Sequence, residues 1–464
     1  MTGEPGSAMR DPLRPARLRE AHAHIAQHGR ARAYVDLSDC PTAADALARL
    51  AARADDLADA RNDPNSGETS PGSASPSSAS PGSDWLVATG ARPESWPDTS
   101  GQWPALARLE DAVRGRPACV WCFDYHAILA SGAAMRAAGL CDANGNATPD
   151  PAGGVIARNA SGRATGVLLE RAALALWDRV PEPTPEQYRD HVRAALADLA
   201  SHGFVEVHDL KAQPWLGPML GEMDRAGELS QTIWLYPLLD DAEAIARDAH
   251  RWQTDRVRLA GAKVFLDGTL NSRTAWMTEP FADGLPEHPC GTPMFTPREI
   301  EDAVRRADAL GLPLAMHAIG DMAVRAGLDA IERVRPRTRG FRIEHAELVH
   351  ERDVARFASL GVVCSVQPCH LLYDIEALRR AVPDRLDRVL PLVELERAGC
   401  RAGELLWFGS DVPIVRPHPE DSVLAATARR RGGMPAHEAI NPGQAIDERA
   451  AWACFTPSTD ATIG

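Results

Sequence analysis

With 464 residues, 44% of them hydrophobic and 25% charged, the chain is long enough to bury a large core and has the composition of a globular protein. A formal net charge of −14 with no basic stripe argues against a nucleic-acid or membrane partner, and no apolar run is long enough to span a bilayer. The N-terminal MTGEPGSAMRDPLRPARLRE lacks the apolar segment of a secretory signal, and nine cysteines without a framework spacing point to reduced thiols, so a cytoplasmic location is expected.

Residues 1–15 are expected to be a loose tail, 16–455 the main domain and 456–464 a C-terminal end. Ala16–Ile25 reads as a short strand ending in His22-Ala23-His24. Thr42–Arg61 is rich in Ala and Leu at helical spacing. The following stretch 62–83, NDPNSGETSPGSASPSSASPGS, has too little apolar surface to order itself and reads as a disordered surface insertion. Residues 84–180 mix short strands such as Cys119–Phe123 with turns such as Asp142–Asn146, and read as an inserted subdomain. Cys119-x-x-Cys122 has no second ligand pair, so strand packing explains it better than a metal.

From Thr184 the pattern becomes regular. Helices are predicted over 184–201, 214–228, 241–253, 297–310, 321–334 and 351–359, with a longer helical region after them. Between and after them come strands Gly203–Asp209, Thr232–Leu238, Leu259–Leu266, Leu312–His317, Phe341–His345, Val362–Gln367 and Leu405–Ser410. Strand–helix alternation of this length predicts a parallel sheet in an α/β fold. With the His22 strand the count is eight, which fits a (β/α)8 TIM-like barrel. A doubly wound open sheet competes, but no Gly-rich phosphate fingerprint follows any strand.

The chain holds 50 basic residues, of which only Lys211 and Lys263 are lysines. A lysine within the apolar strand AKVFL is therefore notable. Unlike arginine, a desolvated lysine can lose its proton; its amine can then take up carbon dioxide as a carbamate. The plain alternative is a lysine snorkelling from a strand end. Five of the eight strands end in residues able to hold metal. His22 and His24, two apart, share one face of the first strand. Lys263 lies on the fourth, and His317, His345 and Asp411 end the fifth, sixth and eighth. Barrel enzymes place their active sites at the strand C-terminal ends, so these six groups would converge. His22, His24 and Asp411 would hold one ion, His317 and His345 another, and carbamylated Lys263 would bridge them. Imidazole and carboxylate suit divalent Zn2+, one or two ions. Asp411 is placed to move a proton from water to a leaving nitrogen. The chemistry expected is hydrolysis of an amide, imide or similar bond.

The motifs AHAH (21–24), FDYH (123–126), GFVEVHD (203–209), KVFLDGTLNSRTA (263–275), HAIGD (317–321), RIEHAE (342–347), SVQP (365–368) and GSDVP (409–413) run in order along nearly the whole chain. In them the chain resembles the metal-dependent amidohydrolase superfamily, most closely the amidohydrolase family 3 branch that includes N-substituted formamide deformylases. The resemblance implies a metal-dependent hydrolase barrel with the ligand roles just given, acting on a small-molecule substrate; a homodimer is a possible assembly. It also implies that Asp124 and His126 reach the substrate, His126 as a catalytic residue. Arg273 and Asp321 would support the site and bind substrate, with Glu170 as a further supporting group. The plain alternatives for these are a surface salt bridge, a helix N-cap for Asp321 and an exposed carboxylate. Glu344, Glu347, His208 and His370 stay undecided.

Two features depart from the family pattern. The usual flanking β-sandwich is expected to be largely missing. The first strand carries Arg17, Arg19 and Glu20 where a central barrel strand should be apolar, which puts the seating of His22 and His24 in question. Two other readings stay open: a mononuclear deaminase with Lys263 unmodified, and a non-catalytic relic that keeps the barrel.

Overall fold

The structure, a computed structural model, describes residues 13–62, 85–123, 125–151, 153–284 and 286–457. The tail up to residue 12, the serine-rich insertion from residue 63, Asp124 and the last seven residues lie outside the described residues. The chain divides into two compact units, Ala26–Ala195 and a second built from residues 1–25 together with Leu196–Gly464.

The larger unit is α/β with parallel strands: β1 Leu18–Ala23, β2 Phe204–Asp209, β3 Thr232–Leu235, β4 Ala262–Phe265, β5 Leu314–Ala318, β6 Arg342–His345, β7 Val363–Val366 and β8 Leu406–Phe408. β1, β2 and β3 pair in parallel, and a short strand Val257–Leu259 continues from β3. β4 through β8 form a second parallel sheet in chain order. Isolated parallel bridges Leu238–Lys263 and Ala23–Val412 join the two sheets at both ends. β5, β6, β7 and β8 are buried at every position, as strands covered on both faces must be.

The helices form where the sequence spacing predicts. Pro297–Ala309 buries Ile300, Ala303, Val304 and Ala307, one stripe at helical spacing, while Thr296 and Glu299 close a capping box at its start. Asp321–Val334 and Glu351–Leu360 likewise turn an apolar face inward. Among the described residues no helix is long and apolar enough to cross a membrane.

β1 is fully buried despite its charges, because its polar groups find polar partners. Arg19 stacks 3.9 Å from the Trp407 ring centroid and donates to the Cys454 carbonyl at 3.1 Å. Desolvation lowers its pKa to about 9, against the pull of Glu206. Glu20 accepts the His22 N–H at 3.0 Å, the Ser410 N–H at 2.9 Å and the Ser410 hydroxyl at 2.9 Å. The expectation that a polar first strand would seat poorly is thus corrected: the interior it enters is itself polar.

The second unit is wider than the 84–180 stretch and includes the long helix Ala43–Asn62. Its six-stranded sheet includes Leu86–Ala91, Ala118–Cys122, Ala127–Ala130 and Ala164–Glu170, mixing parallel and antiparallel pairs. Alternate residues serve opposite faces, Leu86, Ala88 and Val120 in one core and Val87, Cys119 and Trp121 in the other. Cys119 and Cys122 are buried free thiols, in keeping with strand packing.

Gly409 lies where the chain leaves β8 and passes β1. A Cβ there would sit 2.5 Å from the His22 backbone N and 2.8 Å from Glu20 Oε1. Gly409→Ala is therefore expected to destabilise the larger unit by about 1–3 kcal/mol through overpacking. A thermal or urea midpoint equal to that of the parent would refute this close approach.

Candidate metal centre

The site is built from the residues that follow the strand ends of the larger unit. β1 delivers His22, and His24 follows one residue beyond it, the ring centroids 5.4 Å apart and edge to face. Asp411 comes after β8. The chain holds it there with backbone hydrogen bonds to the first strand: Asp411 N–H to the His22 carbonyl at 2.7 Å and His24 N–H to the Val412 carbonyl at 2.9 Å. Asp411 Oδ1 lies 2.9 Å from His24 Nε2 and 3.3 Å from His22 Nε2. Ligand atoms of these three residues all lie within 4.8 Å of one another, so the trio could hold a metal ion. Asp411 (φ 63°) and His345 (φ 70°) both adopt a left-handed backbone, a strained state for non-glycine residues that surrounding contacts must enforce.

The tautomer of His22 is fixed from below. Its Nδ1 lies 2.8 Å from Glu344 Oε2; a carboxylate only accepts, so Nδ1 carries the proton and Nε2 keeps its lone pair toward Asp411. Glu344 is held in turn by Arg342, which reaches both of its oxygens and also donates to the Ala21 carbonyl at 2.6 Å and the Ser365 hydroxyl at 2.8 Å. Burial alone would raise the Glu344 pKa, but Arg342 and His22 draw it well below the usual carboxylate range. Desolvation lowers the pKa of His22 to about 4, against the pull of Asp411, so the ring is neutral at physiological pH.

Next to this pair stand the other expected ligands. The rings of His22 and His345 are 5.0 Å apart, and those of His345 and His317 are 4.4 Å apart. His317 Nε2 is 3.1 Å from the Gly268 carbonyl, which can only accept, so Nδ1 holds the lone pair. Burial lowers its pKa to about 3. Lys263 is 1% exposed, and its Nζ has no hydrogen-bond partner among the described residues. Desolvation pulls its pKa down to about 8, while the Glu344 and Asp411 carboxylates resist. Buried His24 Nδ1 is also without a partner there. A buried amine and a buried imidazole nitrogen without partners, beside further imidazoles and a carboxylate, make a set of nitrogen and oxygen lone pairs that fits a divalent cation.

The remaining expected residues have other neighbours. The Arg273 guanidinium pairs bidentately with Asp283 at 2.6 Å and donates to the Leu270 carbonyl at 2.8 Å. Asp321, at the start of its helix, accepts from the Thr278 backbone at 2.8 Å and from its hydroxyl. Both residues fasten the 267–283 segment that follows β4. Asp267 pins its base by accepting from Trp276 N–H at 2.8 Å, Gly320 N–H at 2.8 Å and Ile319 N–H at 3.1 Å. His126 lies in the other unit, its Nδ1 3.1 Å from the Glu170 carboxylate. Asp124 is outside the described residues. Sequence reasoning missed the roles of Glu344, Arg342 and Glu20. The signal was present: charged residues two apart on strands that must be buried share one face and need partners.

A family model described as the amidohydrolase family matches residues 18–464. Protein LONG AFTER FAR-RED 3 of Arabidopsis thaliana is 28% identical over 362 residues, which is 74% of this chain and 60% of that protein. N-substituted formamide deformylase of Arthrobacter pascens is 26% identical over 373 residues, 76% of this chain and 66% of that protein. The chain thus spans less than two thirds of the length of these relatives. The crystal structure of an uncharacterized metal-dependent hydrolase from Pyrococcus horikoshii OT3 matches with a TM-score of 0.69 at 23% identity, covering 94% of this chain and 78% of that one, and shows a shared fold.

Removing Arg342 would leave Glu344 as an uncompensated buried charge, which costs about 3–5 kcal/mol. Arg342→Met is expected to lose that much stability in urea unfolding, and the double variant Arg342→Met/Glu344→Gln to recover part of it. Simple additivity of the two single changes would contradict the coupling.

Proposed function

The chain belongs to the amidohydrolase family, and from that premise we propose that it hydrolyses a non-peptide carbon–nitrogen bond in a small molecule with the help of divalent metal. In this reading the two parallel sheets are one (β/α)8 barrel, supported by the bridges that join them at both ends. One ion is held by His22, His24 and Asp411, and a second by His317 and His345. Zn2+ suits these donors best. The observation that carries the reading is Lys263, a fully buried lysine whose amine has no partner among the described residues and lies beside this ligand set.

As a carbamate, Lys263 would supply a carboxylate-like ligand shared by the two ions. Its neutral Nζ forms a bond to the carbon of carbon dioxide and releases one proton, which converts an uncompensated amine into a carboxylate-like ligand. Its lowered pKa, about 8, keeps a fraction of the amine neutral at physiological pH. When bound, divalent ions supply Lewis acidity, acidifying water and polarising a carbonyl. The chain's own groups do the rest. Asp411 accepts the proton of the attacking water and passes it to the leaving nitrogen. Glu344 and Arg342 hold His22 in the tautomer that leaves Nε2 free. Arg273 and Asp321 support the site by fixing the segment after β4.

For the substrate, the relative from Arthrobacter pascens points to N-substituted formamides, with cyclic amides as the neighbouring class. Protein prepared with zinc and bicarbonate and assayed for amine release from a panel of both classes should turn over at least one. Asp411→Asn should reduce kcat/KM by about 10²–10⁴-fold, the usual contribution of a positioned acid–base group. No turnover across the panel, or equal turnover by Asp411→Asn, would sink the proposal.

Metal analysis separates the two-ion reading from a single-ion deaminase. Two ions in the parent, falling to one or none in Lys263→Ala, support the bridge. One ion in both supports the deaminase.

A further inference from the structure

The geometry points to a further ligand that the six-residue set omits: we propose that His370, with His345 and Asp411, holds a divalent cation. This rests on the metal-dependent reading above and changes which residues complete the second site.

His370 follows β7 through a short turn, Pro368–His370, opened by a proline whose fixed φ suits that position. The turn sets the imidazole against the chain leaving β8: its Nε2 lies 3.1 Å from the carbonyl of Ser410, the residue before Asp411. A carbonyl only accepts, so this contact uses the Nε2–H and leaves Nδ1 as the nitrogen that can serve as a ligand. The ring is half-buried, and its centroid is 6.0 Å from that of His345. One ligand atom from each of His345, His370 and Asp411 lies within 4.8 Å of the other two, the same closeness as in the His22–His24–Asp411 trio. The two trios share Asp411. Two imidazoles and a carboxylate are a common donor set for zinc and related ions.

His317 differs in a telling way. It packs beside His345, and like His370 it spends its Nε2 on a backbone carbonyl, that of Gly268, so the difference lies in where its other nitrogen is placed. Among the described residues it belongs to no such trio. His370 therefore brings to the second site a nitrogen that the barrel-strand pattern does not supply, because it comes from the turn after a strand rather than from the strand itself.

The test uses the full chain, stripped of metal by chelation and titrated with Co2+ alone. Bound Co2+ is counted by equilibrium dialysis and its ligand field followed by visible absorption. The parent is expected to bind two ions. His370→Ala and His370→Gln should both keep the first ion and lose the second, with a change in the cobalt spectrum. The loss should exceed the roughly 10–100-fold weakening that removal of an outer-sphere partner causes.

The glutamine variant decides between roles, since its amide can still donate to the Ser410 carbonyl but is a poor ligand. Restoration of the second ion by His370→Gln, or parental uptake by both variants, overturns the assignment and leaves the proposed function standing. A parent chain that takes up no cobalt overturns both. Circular dichroism of the metal-free variants checks that each remains folded.

Discussion

The site depends on one buried charge relay, Arg342 to Glu344 to His22. An unpaired carboxylate at 0% exposure would protonate or unfold its surroundings. Arg342 prevents this by contacting both Glu344 oxygens while its remaining donors reach a carbonyl and a hydroxyl on neighbouring strands. The charge so retained fixes the proton on His22 Nδ1 and turns Nε2 toward Asp411. A ligand nitrogen at the strand ends is thus set by a guanidinium in the interior. Such a pair is weak evidence for stability in itself, because desolvating two charges offsets much of their attraction. Its clearer effect is to specify one ring orientation.

The relay also explains why β1 can be polar. Arg19, Glu206, His208, Trp407 and Tyr236 surround Arg342 in the same interior: His208 Nδ1 is 3.1 Å from an Arg342 nitrogen, and the Tyr236 and Trp407 rings lie 5.4 Å and 5.1 Å from its guanidinium. His208 Nε2 meets Glu206 at 2.9 Å. An apolar first strand would leave this network without a wall. Aromatic faces are well suited to the arginines, since they attract cations without needing hydrogen-bond geometry.

Around the strand ends the same logic is repeated with backbone groups. Asp267 is held by three N–H groups, and Glu20 takes the N–H groups of His22 and Ser410. These contacts hold the chain after β4 and β8, where Asp411 takes a left-handed backbone, as His345 does at the end of β6. Strain stored in this way is tolerable where the surroundings over-determine it. It keeps ligand atoms close before any ion arrives.

Strand and helix periodicity in the sequence determined strands β1 to β8 of the larger unit, most of their boundaries and the helices between them, but not the separate short strand Val257–Leu259 before β4. Period-two and period-3.6 patterns are local properties, so they can be read without knowing what packs on what. The oddity of Lys263 was equally legible, as was the clustering of His22, His24, His317, His345 and Asp411 at strand ends. Partnership was not. That Arg273 is claimed by Asp283, that Asp321 is claimed by Thr278, and that Glu344 turns His22 depend on side chains brought together across 10 to more than 300 positions of sequence. His370 was undecidable for the same reason, since a histidine after a strand becomes a ligand candidate only when the fold sets it against Ser410 and His345. The tertiary structure decided these because hydrogen bonds are short and directional, and only packing determines which acceptor a buried donor meets.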